Sequence, residues 1–73
     1  MKKIYWDLID GCVTVKVRAI NSDDNFEEFT FDCYISPEVN SYDRLENVMD
    51  TAHHLALLRN LYRAEIIDVK LSK

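Results

Sequence analysis

Residues 2–19 read KKIYWDLIDGCVTVKVRA, and the Asp10-Gly11 pair at the middle decides how the rest is read. Asp-Gly suits a two-residue type I′ turn, because both turn positions need positive φ. A hairpin folded there sets Ile9 against Cys12, Leu8 against Val13, Trp6 against Val15 and Ile4 against Val17. Ile4, Trp6, Leu8, Val13, Val15 and Val17 then share one face, and Lys3, Tyr5, Asp7, Thr14, Lys16 and Arg18 share the other. A slip of one residue would invert the sorting, so the register is well specified.

Working outward, Asn21-Ser22-Asp23-Asp24-Asn25 is a loop of turn-forming residues. Phe26–Ile35 then alternates, with Phe29, Phe31, Cys33 and Ile35 on one face and Glu28, Thr30, Asp32 and Tyr34 on the other. Pairing back through the loop sets Val17 against Phe29, Val15 against Phe31, Val13 against Cys33 and Arg18 against Glu28. Ser36-Pro37 ends the strand. A helix is expected from Asn40-Ser41, either of which can cap it, to about residues 60–63. Helical spacing puts Leu45, Val48, Met49, Ala52, Leu55, Ala56 and Arg59 on one side. Ile67, Val69 and Leu71 alternate with Asp68 and Lys70 as a last strand, expected parallel to the third and beside the first. The predicted fold is α+β: a two-layer, four-stranded, mostly antiparallel sheet in β-β-β-α-β order and spatial order 4-1-2-3, with one helix on one face. A single compact domain over residues 1–73 is expected.

The formal net charge is −4, unevenly placed. Residues 21–50 carry nine acids against Arg44, a net −8, while the flanking segments are each net +2. Phosphate binding needs clustered Lys and Arg, so no direct nucleic-acid binding is expected. The acidic middle favours a protein partner with a basic surface. No apolar run approaches the roughly 20 residues of a membrane span. No membrane association is expected, and a cytoplasmic location is the default reading.

Catalytic and metal motifs are weak. Cys12 and Cys33 fall on opposite faces and should not pair. His53 and His54 are neighbours pointing about 100° apart on a helix, which suits no shared ion. His54 over Asp50 reads as a surface ion pair. No Gly-rich phosphate loop and no nucleophile-base arrangement is present. The expectation is a non-enzymatic chain without cofactor or metal. Lys16 and Arg18 beside Tyr5 and Tyr34 suggest a stacking platform for RNA, but Glu28 and Asp32 lie across from the two cations and consume their charge.

Two features exceed a bland surface. Asp43, Glu46 and Asp50 line one side of the helix, followed by Leu57, Leu58 and Leu61. Either these leucines form an exposed contact patch, or the helix ends early and Leu61 with Tyr62 turns into the core. The second feature is the acid block from Asp23 to Asp50. Expected partner-binding residues are therefore Asp23, Asp24, Glu27, Glu28, Asp43, Glu46, Asp50, Leu57, Leu58 and Leu61. An acidic, motif-free chain of this size resembles the small inhibitors that phages and mobile elements direct at host machinery, anti-CRISPR and anti-restriction proteins among them. The resemblance implies a protein-binding inhibitor that occludes a basic nucleic-acid groove. The alternative is a homodimeric structural or regulatory protein assembled through the leucine patch or an edge strand.

Overall fold

Four valine and alanine side chains at alternate positions make Gly11–Ile20 the centre of the molecule. In this computed structural model, which describes residues 3–72, Gly11–Ile20 is strand β1, with Val13, Val15, Val17 and Ala19 fully buried on one face. Strand β2 is Phe26–Ile35, helix α1 is Ser41–Leu58 and strand β3 is Tyr62–Leu71. The sheet order is β2-β1-β3, and both flanking strands run antiparallel to β1.

The β1–β2 hairpin has the expected register: Val17 faces Phe29, Val15 faces Phe31, Val13 faces Cys33 and Arg18 faces Glu28. Its loop is closed by Asn21, whose side-chain Oδ1 accepts from the N–H groups of Asp23 and Asn25. Asp24 takes the left-handed conformation, φ 62°, which Asp tolerates better than most residues. The helix begins where expected. Asn40 caps it, its Oδ1 accepting from the Asp43 N–H at 2.8 Å. It ends at Leu58, earlier than the expected 60–63. Asn60 is left-handed at φ 59°, the Asn60 N–H donates to Leu57 C=O, and the Leu61 N–H returns to Ala56 C=O at 2.8 Å. That bond pair is the Schellman ending, and it turns Leu61 into contact with Ala56 and Ala19.

The four-stranded expectation is corrected to three strands. The first expected strand does not form, and there is no hairpin about Asp10-Gly11. Gly11 has a positive φ of 79°, but Asp10 is not among the positive-φ residues, so the type I′ turn is absent. Lys2, the first residue of the expected hairpin, lies outside the described residues. Trp6–Leu8 is a short 3-10 turn instead, Leu8 is 79% exposed, and Trp6 and Ile9 pack on the core cluster. The physical reason is competition for the second edge of β1. The β3 strand takes that edge along ten residues, from Ile20 opposite Tyr62 to Val13 opposite Leu71. The last strand is thus parallel to β2, as expected, but it pairs with β1 directly.

Helix α1 lies over the β1–β3 side of the sheet. Val48 and Ala52 close on Val13, Val15 and Val17, while Ala56 closes on Ala19. Of the expected stripe, Leu45 and Arg59 are exposed. The stripe starts instead at Arg44, which is only 7% exposed. Among the described residues Arg44 bonds to no carboxylate. Its guanidinium donates to five backbone carbonyls: Val39 at 2.7 Å, Trp6 and Ile9 at 2.9 Å, Pro37 at 3.1 Å and Asp7 at 3.3 Å. This clamp straps the N-terminal segment and the 36–39 turn to the first turn of the helix. Five fixed donors in one plane suit such a role, since a buried charge is tolerated only when its protons are satisfied.

Candidate interaction surface

The residues expected to bind a partner divide among separate surfaces. Asp23 and Asp24 sit at the tip of the β1–β2 loop. Glu27 and Glu28 lie on β2, with alternation putting Glu28 on the outer face of the sheet. Asp43, Glu46 and Asp50 lie on the solvent side of α1, the opposite side of the two layers. The net −8 segment is therefore one stretch of sequence but not one patch.

On the outer sheet face the charges satisfy one another. Glu28 receives Arg18 at 3.1 Å and Lys16 at 3.3 Å. The Arg18 hydrogen bond, and then that of Lys16, hold the Glu28 carboxyl below its ordinary pKa. Thr14 donates to Asp32 at 2.6 Å, Lys70 lies 3.8 Å from Asp68, and Arg18 also stacks over Phe26 at 5.7 Å. Lys16 and Arg18 on β1 are thus opposed by Glu28 on β2 across the strand pair.

The helix face differs. Asp43, Glu46 and Asp50 follow one another at i, i+3 and i+7, spanning about 10 Å of helix, and all three are exposed. None is in an ion pair among the described residues. Asp43 accepts from its cap partner Asn40 at 3.1 Å. The Glu46 carboxylate one turn on, as an acceptor and as a charge, pushes the Tyr42 phenol up. Asp50 and His54 form no ion pair, so that expected contact is absent among the described residues. Leu57, 62% exposed, continues the acidic row by another seven residues, with Leu58 beside it at 69%. Leu61 is 3% exposed and belongs to the core, so the exposed apolar pair is Leu57 and Leu58. The early helix stop explains the split.

Cys12 and Cys33 are both free, one exposed and one half-buried. Burial, then the neighbouring Asp32, pushes the Cys33 thiol up, the wrong direction for a nucleophile at neutral pH. His53 is hydrogen-bonded to the Ala64 carbonyl oxygen at 3.2 Å. Among the described residues no group of three His, Cys, Asp or Glu side chains is placed to hold a metal ion, and no helix is long and apolar enough to cross a membrane.

Sequence reasoning missed the flank between α1 and β2. Because the helix sits over the β1–β3 side, Phe29, Phe31 and Cys33 are only half-covered. A cavity of about 220 Å³ opens there, lined by Cys33, Ile35, Ser36, Val39, Arg44, Asn47, Val48 and Thr51. Farther along, the Arg59 guanidinium covers Phe29 at 4.5 Å. The signal in the sequence was the strand's mixed inner face: large phenylalanines on β2 opposite small valines on β1. No protein-family model, no curated protein and no solved structure matches the chain.

Proposed function

We propose that this chain is a small acidic, non-enzymatic protein-binding module, acting as an inhibitor of a basic nucleic-acid-handling complex in the manner of anti-CRISPR, anti-restriction or host-takeover proteins. The observation that carries this reading is the row Asp43, Glu46 and Asp50, three exposed carboxylates with no ion pair among the described residues. Glu28, with two cations of its own, has less to offer a partner. A lysine- or arginine-lined groove that normally meets phosphate would meet the helix row instead, and Leu57 and Leu58 would supply the apolar part of the contact. Asp23 and Asp24 lie on a different surface and add long-range attraction rather than contact.

The test compares capture of host proteins by the native chain with capture by a chain carrying Asp43→Lys, Glu46→Lys and Asp50→Lys. Capture should be lost with the helix row reversed and kept with Asp23→Lys and Asp24→Lys. The captured protein should release bound DNA or RNA when the native chain is added. Capture that survives reversal of the helix row at low salt contradicts the proposal.

A further inference from the structure

The two sheet edges are built differently. The β3 edge is interrupted: its register with β1 shifts between Lys16 and Val17 and again between Arg18 and Ile20, and Arg63 there is left-handed at φ 55°. The N-terminal segment also lies beside it, with Ile4, Tyr5, Leu8 and Ile9 sharing a cavity with Asp68 and Val69. Bulges and a covering segment are ways of closing an edge to further pairing. Among the described residues the β2 edge has neither. Its ten residues pair with β1 without a shift, it holds no proline, and its inner face is the half-covered flank beside α1.

The free backbone groups of β2 can be assigned. The Asn21 N–H donates to Asn25 C=O at 3.0 Å, so Asn21–Asn25 is a bonded pair, and bonded and non-bonded pairs alternate along an antiparallel ladder. Odd-numbered residues of β2 therefore bond to β1. The N–H and C=O groups of Glu28, Thr30, Asp32 and Tyr34 point away from it, toward the open edge.

We propose that this edge pairs with the same edge of a second copy, antiparallel, about a two-fold axis at Phe31. Side-chain matching, not opposite charge, selects a second copy and the register: β2 carries Glu27, Glu28 and Asp32 and no base, and one register alone gives both Glu28 and Asp32 a hydroxyl to face. Centred on Thr30, the pairing would oppose Glu28 to Asp32 of the second copy; centred on Asp32, it would oppose two aspartates. Centred on Phe31, Thr30 meets Asp32 and Glu28 meets Tyr34, so both outer-face carboxylates face a hydroxyl that can donate to them. The outward backbone groups of those same four residues then bond across the axis. Phe31 itself falls on a non-bonded pair, where opposed side chains are closest, and an aromatic pair forms there. The result is a continuous six-stranded sheet with both helices on one side. The two β1 strands stand about 14 Å apart, wider than the roughly 8–10 Å of directly packed helices. The phenylalanines of β2 fill that seam, with Thr51 and Leu58 on the helix flanks above it. The acidic helix row stays outside the seam, so this assembly is independent of the proposed partner contact.

Sedimentation equilibrium and light scattering test it. The native chain should show twice its 8.6 kDa mass, dissociating on dilution. Thr30→Pro removes an N–H that β1 does not use, so the fold should persist by circular dichroism while the dissociation constant rises at least about tenfold. Thr30→Glu sets a carboxylate against Asp32 of the second copy and should weaken the dimer in a salt-dependent way. Phe31→Cys, with Cys12→Ser and Cys33→Ser, should form a disulfide-linked dimer on oxidation. A monomer at millimolar concentration overturns the proposal. A dimer indifferent to both Thr30 variants, but lost on Leu57→Ser and Leu58→Ser, also overturns it and places the interface on the leucine pair.

Discussion

The β3 edge and the β2 edge of this sheet are made from strands of equal length, yet one is closed and the other is bare. The difference lies outside the strands. The β3 strand is fed by the tight Asn60–Leu61 turn of the helix, is bulged at Ile67 and Arg63, and has the N-terminal segment beside it at Asp68 and Val69. Arg44 holds that segment in place by its bonds to Trp6, Asp7 and Ile9. The β2 strand pairs with β1 without a shift and, among the described residues, has no segment along its outer edge. A chain of this size can protect one edge with the residues it has to spare, and the edge left over becomes the place where another chain can add.

The largest expected effect breaks this contrast at its clamp. Arg44→Met leaves five buried or half-buried carbonyls without their donor, and it should cost about 3 kcal/mol or more. It should also release the N-terminal segment, read as faster proteolysis near Trp6–Leu8 and a lower urea midpoint. Arg44→Lys should fall between the two, because one ammonium has three donors and cannot span five carbonyls. A loss below about 1 kcal/mol for Arg44→Met would mean the clamp does not hold the fold.

A smaller effect sharpens the picture of β2. The Glu28 carboxyl is held below its ordinary pKa by Arg18 and Lys16, so the folded chain binds that proton less readily than the unfolded chain. Its stabilisation is present above the ordinary carboxylate pKa of 4.5, falls as the pH drops, and is gone once the pH is below the folded value. Glu28→Gln should flatten the acid limb of a stability–pH curve and remove part of its salt dependence. An unchanged acid limb would mean the pairing is screened away by solvent.

How much of this was legible in the sequence follows the range of each decision. The β1–β2 register follows from two alternating patterns joined by a short loop, and Asn40 marks the helix start by its own side-chain chemistry. Both are local choices. The segment before Gly11 also alternates, and its pattern alone supports a strand. Whether it becomes one depends on a competitor more than forty residues away, because β1 has only one further edge to offer. Arg44 was counted as one cation within an acidic block. Its spacing to Val48, Ala52 and Ala56 put it on the buried side of the helix, and that spacing was the available signal. The acid block misled in the same way: adjacency in sequence is not adjacency on a surface when the chain crosses from sheet to helix within it. Leu61 lies in the core because Asn60 turns the chain, a backbone event that an apolar pattern does not record.

Residue-resolved amide hydrogen exchange, repeated over a range of protein concentrations, tests the open-edge claim most directly. The amides of Phe29, Phe31 and Cys33 should be protected at every concentration, since they bond to β1. The amides of Glu28, Thr30, Asp32 and Tyr34 should exchange freely in dilute solution and become protected as the concentration rises. Protection of those four that is already complete at high dilution, or still absent at the highest concentration, would contradict the account of β2 as a bare edge that a second copy completes.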